Sequence, residues 1–114
     1  EAPSYDFVYI EDEEYSRKGW ERYAKKANAK LLTLANPKEF EKYEGQLSKD
    51  ACEIYIDREL GPDWPKGEDF ASSLHQKGFK KLLLATGHDP QMFKHLEWLT
   101  CKGKESPWET EDDW

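Results

Sequence analysis

Acids stand directly after two apolar runs. Glu11 and Asp12 follow FVYI at 7–10, and Asp57 follows CEIYI at 52–56. Thr86 and Gly87 follow KKLLLA at 80–85, and Lys102, Gly103 and Lys104 follow WLTC at 98–101. If these runs are neighbouring strands, three acids, a hydroxyl and a lysine converge on one sheet edge. Carboxylates crowded in that way repel one another unless protons or a cation neutralise them. A hard divalent ion such as Mg²⁺ takes oxygen ligands and keeps several waters. One carboxylate of such a set can attack a phosphoryl group as a nucleophile. The transferred group carries spread negative charge, which a metal, a lysine and a hydroxyl donor stabilise.

Alternating elements are needed to bring these residues together. Residues 7–10 read as a strand, and 15–28 as a helix with Trp20, Tyr23, Ala24 and Ala27 at helical spacing. Residues 30–34 (KLLTL) form a second strand. Asn36 and Pro37 then begin a helix as N-cap and first residue, running to about Tyr43 and burying Phe40 and Tyr43. Residues 52–56 are a third strand, and 60–66 (LGPDWPK) a loop. A helix over 68–77 buries Phe70, Ala71 and Leu74 and stops at Gly78. Residues 80–85 are a fourth strand whose LLLA is continuously apolar, as in a buried parallel sheet. A turn at 86–90 leads to a short helical stretch over 90–95, then to a fifth apolar run at 98–101. Strands alternating with helices predict an α/β fold, a five-stranded parallel sheet, doubly wound. In such sheets ligands bind at the carboxyl ends of the strands, where the acids, Thr86 and the lysines stand. The fourth helix is short. A fifth is doubtful, because 105–114 is acidic without periodicity.

The 114 residues suit a single domain. The net charge of −7 argues against a nucleic-acid or anionic-membrane binder, which needs a basic face. No stretch has the length of a membrane span. The cysteines, Cys52 and Cys101, lack metal-like spacing and read as free thiols of a reducing compartment. The chain does not begin with Met, which suggests a processed chain or a fragment of a longer protein.

YIEDE at 9–13, IYID at 54–57, LLLATG at 82–87 and a late lysine within CKGKESP at 101–107 occur in this order at strand ends. With them the chain, over roughly residues 5–108, resembles the receiver domain of two-component response regulators, a flavodoxin-like fold. The resemblance implies a single receiver domain over 1–114, cytoplasmic, that takes a phosphoryl group onto Asp57 from a histidine kinase or phosphotransfer protein and changes conformation. It implies Mg²⁺ held by Glu11, Asp12 and Asp57 with the backbone carbonyl of Glu59. Thr86 is then the switch hydroxyl, and Lys104, or else Lys102, pairs with the phosphoryl group. Such a domain catalyses its own phosphorylation and dephosphorylation at most. It leaves an attached output domain and a homodimer open, and binds neither nucleic acid nor membrane. The chain departs from the family pattern after the lysine, where Glu105, Ser106 and Pro107 replace an immediate Pro, and in lacking an evident aromatic switch residue in the fifth strand.

Other readings compete. Glu13 and Glu14 read as acids favoured at a helix N-terminus. Asp57 alone could be a turn residue, and Thr86-Gly87 a plain turn. The altered lysine region also fits a degenerate receiver-like interaction module that is never phosphorylated. A phosphatase of another aspartyl-phosphate family would want Asp two residues after the nucleophile, where Glu59 stands. His75 reads as exposed, His95 as a helix-end residue, and His88 as a neighbour of the site that influences phosphoryl hydrolysis. The tryptophans read as core or loop anchors.

Overall fold

A computed structural model describes residues 5–109. Five strands, β1 (Phe7–Ile10), β2 (Leu31–Leu34), β3 (Glu53–Asp57), β4 (Lys81–Ala85) and β5 (Leu99–Lys102), form one sheet in the order β2-β1-β3-β4-β5. All four neighbouring pairs are parallel. This is the doubly wound, flavodoxin-like topology expected from the alternation of apolar runs with helical patterns. The chain order reverses between β1 and β3, so the crevice of such a sheet opens beyond Ile10 and Asp57.

Side chains of alternate residues leave opposite faces of the sheet. Val8, Ile10, Ile54, Ile56, Leu82 and Leu84 form the larger core with Phe40, Ala71 and Leu74. The last three belong to helices α2 (Pro37–Glu41) and α3 (Gly67–Gln76), which therefore cover one face. Tyr9, Tyr55 and Ala85 face the other way and pack with Trp20 of helix α1 (Glu14–Lys26). Trp20 lies nearly parallel to Tyr9, 3.7 Å between ring centres, and meets Tyr55 edge-on at 5.2 Å.

Local chemistry explains several boundaries. Asn36 caps α2, its Oδ1 accepting from the Glu39 N–H at 3.0 Å, with Pro37 in the first helical position. That helix ends at Glu41 rather than Tyr43, and a 3-10 turn at Glu44–Gln46 follows. Gly78 ends α3 with φ +101, a conformation natural to glycine.

The stretch expected as a short fourth helix is a single 3-10 turn, Pro90–Phe93, capped by the Asp89 carboxylate. No helix follows β5 among the described residues. Trp108 instead packs edge-on against Phe7 at 5.0 Å and Trp20 at 6.1 Å. One aromatic side chain thus covers part of the face that a fifth helix would cover. The rest of the acidic tail, 110–114, lies outside the described residues.

Both cysteines are free thiols. Burial pushes Cys52 up to about 11 and also raises Cys101, which makes both poor nucleophiles. No helix among the described residues is long and apolar enough to cross a membrane.

Candidate functional site

The carboxyl ends of β1 and β3 place their acids side by side. Ile10 and Ile56 are register partners, so Glu11 and Asp57 each stand one residue beyond the pair. Backbone bonding fixes Glu11, whose N–H donates to the Leu34 carbonyl at 2.9 Å. The Arg17 guanidinium of α1 donates to the Glu11 carbonyl at 2.7 Å. Glu11 and Asp57 are each 2% exposed, while Asp12 is open to solvent. Ligand atoms of the three carboxylates lie within 4.8 Å of one another.

The electrostatics of this trio are unfavourable as they stand. Burial raises the Glu11 carboxyl well above the carboxylate range, and a hydrogen bond with Asp57, the charge of Asp57 and that of Asp12 raise it further. Lys104 acts in the opposite sense. Among the described residues, Glu11 Oε2 and Asp57 Oδ1 are buried without a hydrogen-bond donor. Leaving Glu11 Oε2 unpaired costs about 1–3 kcal/mol, and more when it is charged, whereas Asp57 Oδ1 has the Lys104 ammonium beside it. A proton held between the two carboxyls removes the conflict, and so does a cation. The donor set, three carboxylate oxygens with one member at the solvent boundary, fits a hard oxygen-seeking ion.

Lys104 is the basic partner of the site. Its Nζ lies 3.2 Å from Asp57 Oδ1, an ion pair that lacks hydrogen-bond alignment. Burial, the largest single influence, works against the charge of Lys104, but Asp57, Glu11 and Glu13 together outweigh it and the amine is raised overall. Lys102, the other lysine of the run, is turned away. It ends β5 and places its ammonium over the rings of Trp20 and Tyr55, at 5.3 and 5.9 Å. Of the two lysines, it is Lys104, past the strand end, whose ammonium lies near Asp57, while Lys102 ends β5 with its ammonium over the α1-side rings.

Thr86 leaves β4 buried, at 4% exposure. Its N–H donates to the Lys102 carbonyl at 3.0 Å, and its Oγ1 accepts from the His88 N–H at 3.1 Å. The hydroxyl is therefore held within its own turn.

Glu59 stands apart from the other acids. Its carboxylate is exposed and accepts from Lys66 at 2.8 Å and from Arg58 at 2.9 Å. Lys66 holds it below the usual carboxylate range. Only its backbone carbonyl remains for the role that the resemblance implied. His75 and His95 are exposed, the former stacked on Trp98 at 4.4 Å.

Two features escaped the sequence reading. Arg58, next to Asp57, donates to Glu68 at 3.2 Å, lies 3.4 Å from His88 Nε2 and sits over the Phe93 ring at 5.6 Å. It thereby ties α3 and the Thr86 turn to the end of β3; an arginine beside a buried strand-end acid was the available signal. The second is Gly67, whose N–H donates to the Arg58 carbonyl at 2.8 Å. A Cβ there would fall 2.8 Å from Arg58 Cα and 2.9 Å from the carbonyl carbon of Asp57. The start of α3 thus packs directly on the backbone of Asp57.

The chain matches no protein-family model, and no curated protein matches it significantly.

Proposed function

We propose that the domain is a phosphoacceptor receiver with Asp57 as the phosphorylated residue. The observation that carries this reading is the burial of Asp57 between the Glu11–Asp12 acids and Lys104, 3.2 Å away, at the carboxyl edge of a β2-β1-β3-β4-β5 sheet. An Asp57 oxygen attacks the phosphorus of a phosphohistidine on a kinase or phosphotransfer protein. The new P–O bond forms as the P–N bond breaks, and the imidazole leaves with that electron pair and takes a proton from solvent. Lys104 exchanges its pairing with Asp57 for a phosphoryl oxygen. Thr86 gives up the His88 N–H and donates its own proton to another, and that movement is the conformational output.

Glu11, Asp12 and Asp57, with the Glu59 carbonyl, would hold Mg²⁺, which neutralises charge on the transferring group. The domain works in the cytoplasm, where kinase and nucleotide are available. Its only catalysis is its own phosphorylation and dephosphorylation. The test is transfer of labelled phosphate from a phosphorylated histidine phosphotransfer domain in the presence of Mg²⁺. Wild type should receive label, and Asp57→Asn none.

A second reading is a receiver-like interaction module that is never phosphorylated. The altered turn after Lys104 and the lack of a helix after β5 among the described residues favour it. A folded protein that fails to bind Mg²⁺ would select this reading.

A further inference from the structure

Lys104 has little of its own to hold it in place. Its side chain is 54% exposed, and its ion pair with Asp57 is the restraint at its tip. A lysine stem has four rotatable bonds, and a partly solvated pair orders it weakly. The backbone from which it departs belongs to no strand or helix. Glu105 rather than proline follows it, so ring closure does not stiffen the turn.

Two side chains from outside the turn supply what the local sequence lacks. Gly103, Lys104 and Glu105 present three successive carbonyls, and all three are bound. The Trp20 indole Nε1 donates to the Lys104 carbonyl at 3.1 Å. The Lys102 ammonium donates to the Gly103 carbonyl at 2.9 Å and also to that of Glu105. That ammonium sits over Trp20 and Tyr55, whose faces attract a cation. Trp20 is fixed in turn by its stack on Tyr9, which lies in β1 two residues before Glu11. The indole therefore links the strand that carries Glu11 to the turn that carries Lys104.

We infer that Lys102 and Trp20 clamp the Gly103–Lys104–Glu105 turn and so aim Lys104 at Asp57. They act as positioning residues for phosphoryl transfer, and this role rests on the phosphoacceptor reading. Lys102 keeps the length of the turn fixed by bridging its first and last carbonyls, while Trp20 fixes its middle against the core. Lys102, the first lysine of CKGK, is then a brace for the turn rather than a solvated bystander. Misplacing a charged group by an ångström in such a site is enough to lower the rate strongly.

The test uses Lys102→Met, which keeps the stem and removes the donor, and Trp20→Phe, which keeps stacking and removes the N–H. Each folded variant should lose about tenfold or more in the rate of phosphorylation by a small acyl phosphate with Mg²⁺. In a Lys104→Ala background the same substitutions should change the rate less than about twofold, because a clamp has nothing left to aim. Undiminished rates in both folded variants would overturn the clamp, and so would equal losses in the Lys104→Ala background. Deuterium exchange of the Trp20 indole N–H reads the clamp without phosphorylation. The proton should be protected in wild type and exchange at least about tenfold faster in Lys102→Met; unchanged exchange refutes the clamp. If wild type takes no phosphoryl group while this protection behaves as expected, the clamp on the turn stands, whereas its role in transfer falls with the phosphoacceptor reading.

Discussion

Glu11 and Asp57 stand side by side at the carboxyl ends of adjacent parallel strands, each 2% exposed, with ligand oxygens within 4.8 Å of each other. Two ionised carboxylates in that position repel, so the site without a cation favours binding a proton. Its stability must then depend on pH in a defined sense. The folded value of Glu11 is raised above the ordinary 4.5, chiefly by burial. The folded state binds the proton more tightly than the unfolded chain, so this contribution is complete below 4.5 and is lost as pH rises through the raised value. Denaturant midpoints in chelator should fall across that range. Saturating Mg²⁺ should flatten the slope, as should Glu11→Gln. A slope of the same size in Glu11→Gln would assign the effect to other groups.

Position relative to the strand end separates the acids of the first loop. Asp12 shares the 4.8 Å cluster, whereas Glu14 is an exposed helix residue paired with Lys18 at 3.1 Å. Asp12→Ala should weaken Mg²⁺ binding at least about tenfold, since a carboxylate ligand to a hard cation is lost. Glu14→Ala should leave it within about twofold, because exposed pairs contribute little. Calorimetric titration of both variants measures this, and equal effects would dissolve the division.

Two glycines should respond in opposite directions to alanine. A Cβ at Gly67 meets the backbone of Asp57 and Arg58 at under 3 Å, with no flexible side chain to give way. Gly67→Ala should destabilise by about 1–3 kcal/mol, as overpacking does, and slow phosphorylation by displacing Asp57. Gly19 lies inside α1, and a Cβ there meets nothing within 4 Å. Gly19→Ala should stabilise by about 0.5–1 kcal/mol through helix propensity alone. Chemical denaturation of both variants compares the two.

The sheet was legible because its signals are local. Apolar runs such as LLLA, the Asn36–Pro37 start and the Gly78 stop each follow from the chemistry of a few neighbouring residues. The positions of Glu11, Asp57 and Thr86 after strands were readable for the same reason. What escaped depends on residues distant in sequence. The end of β5 at Lys102 turns that lysine toward Trp20, 82 positions earlier in the chain, and leaves Lys104 to reach Asp57. Trp20 was readable as core, yet the acceptor for its indole N–H, the Lys104 carbonyl, is 84 residues away. The helical stretch expected over 90–95 stops after one 3-10 turn, where the chain turns back, as Leu96 bonds to Phe93 and Leu99 to Leu96.

The intact mass of the protein after incubation with Mg²⁺ and a small acyl-phosphate donor bears most directly on the role of Asp57. Wild type should gain the mass of one phosphoryl group, the gain should disappear on brief exposure to base, and Asp57→Asn should gain nothing. An unchanged wild-type mass in Mg²⁺-saturated, folded protein, or an equal gain in Asp57→Asn, would contradict Asp57 as the phosphoacceptor.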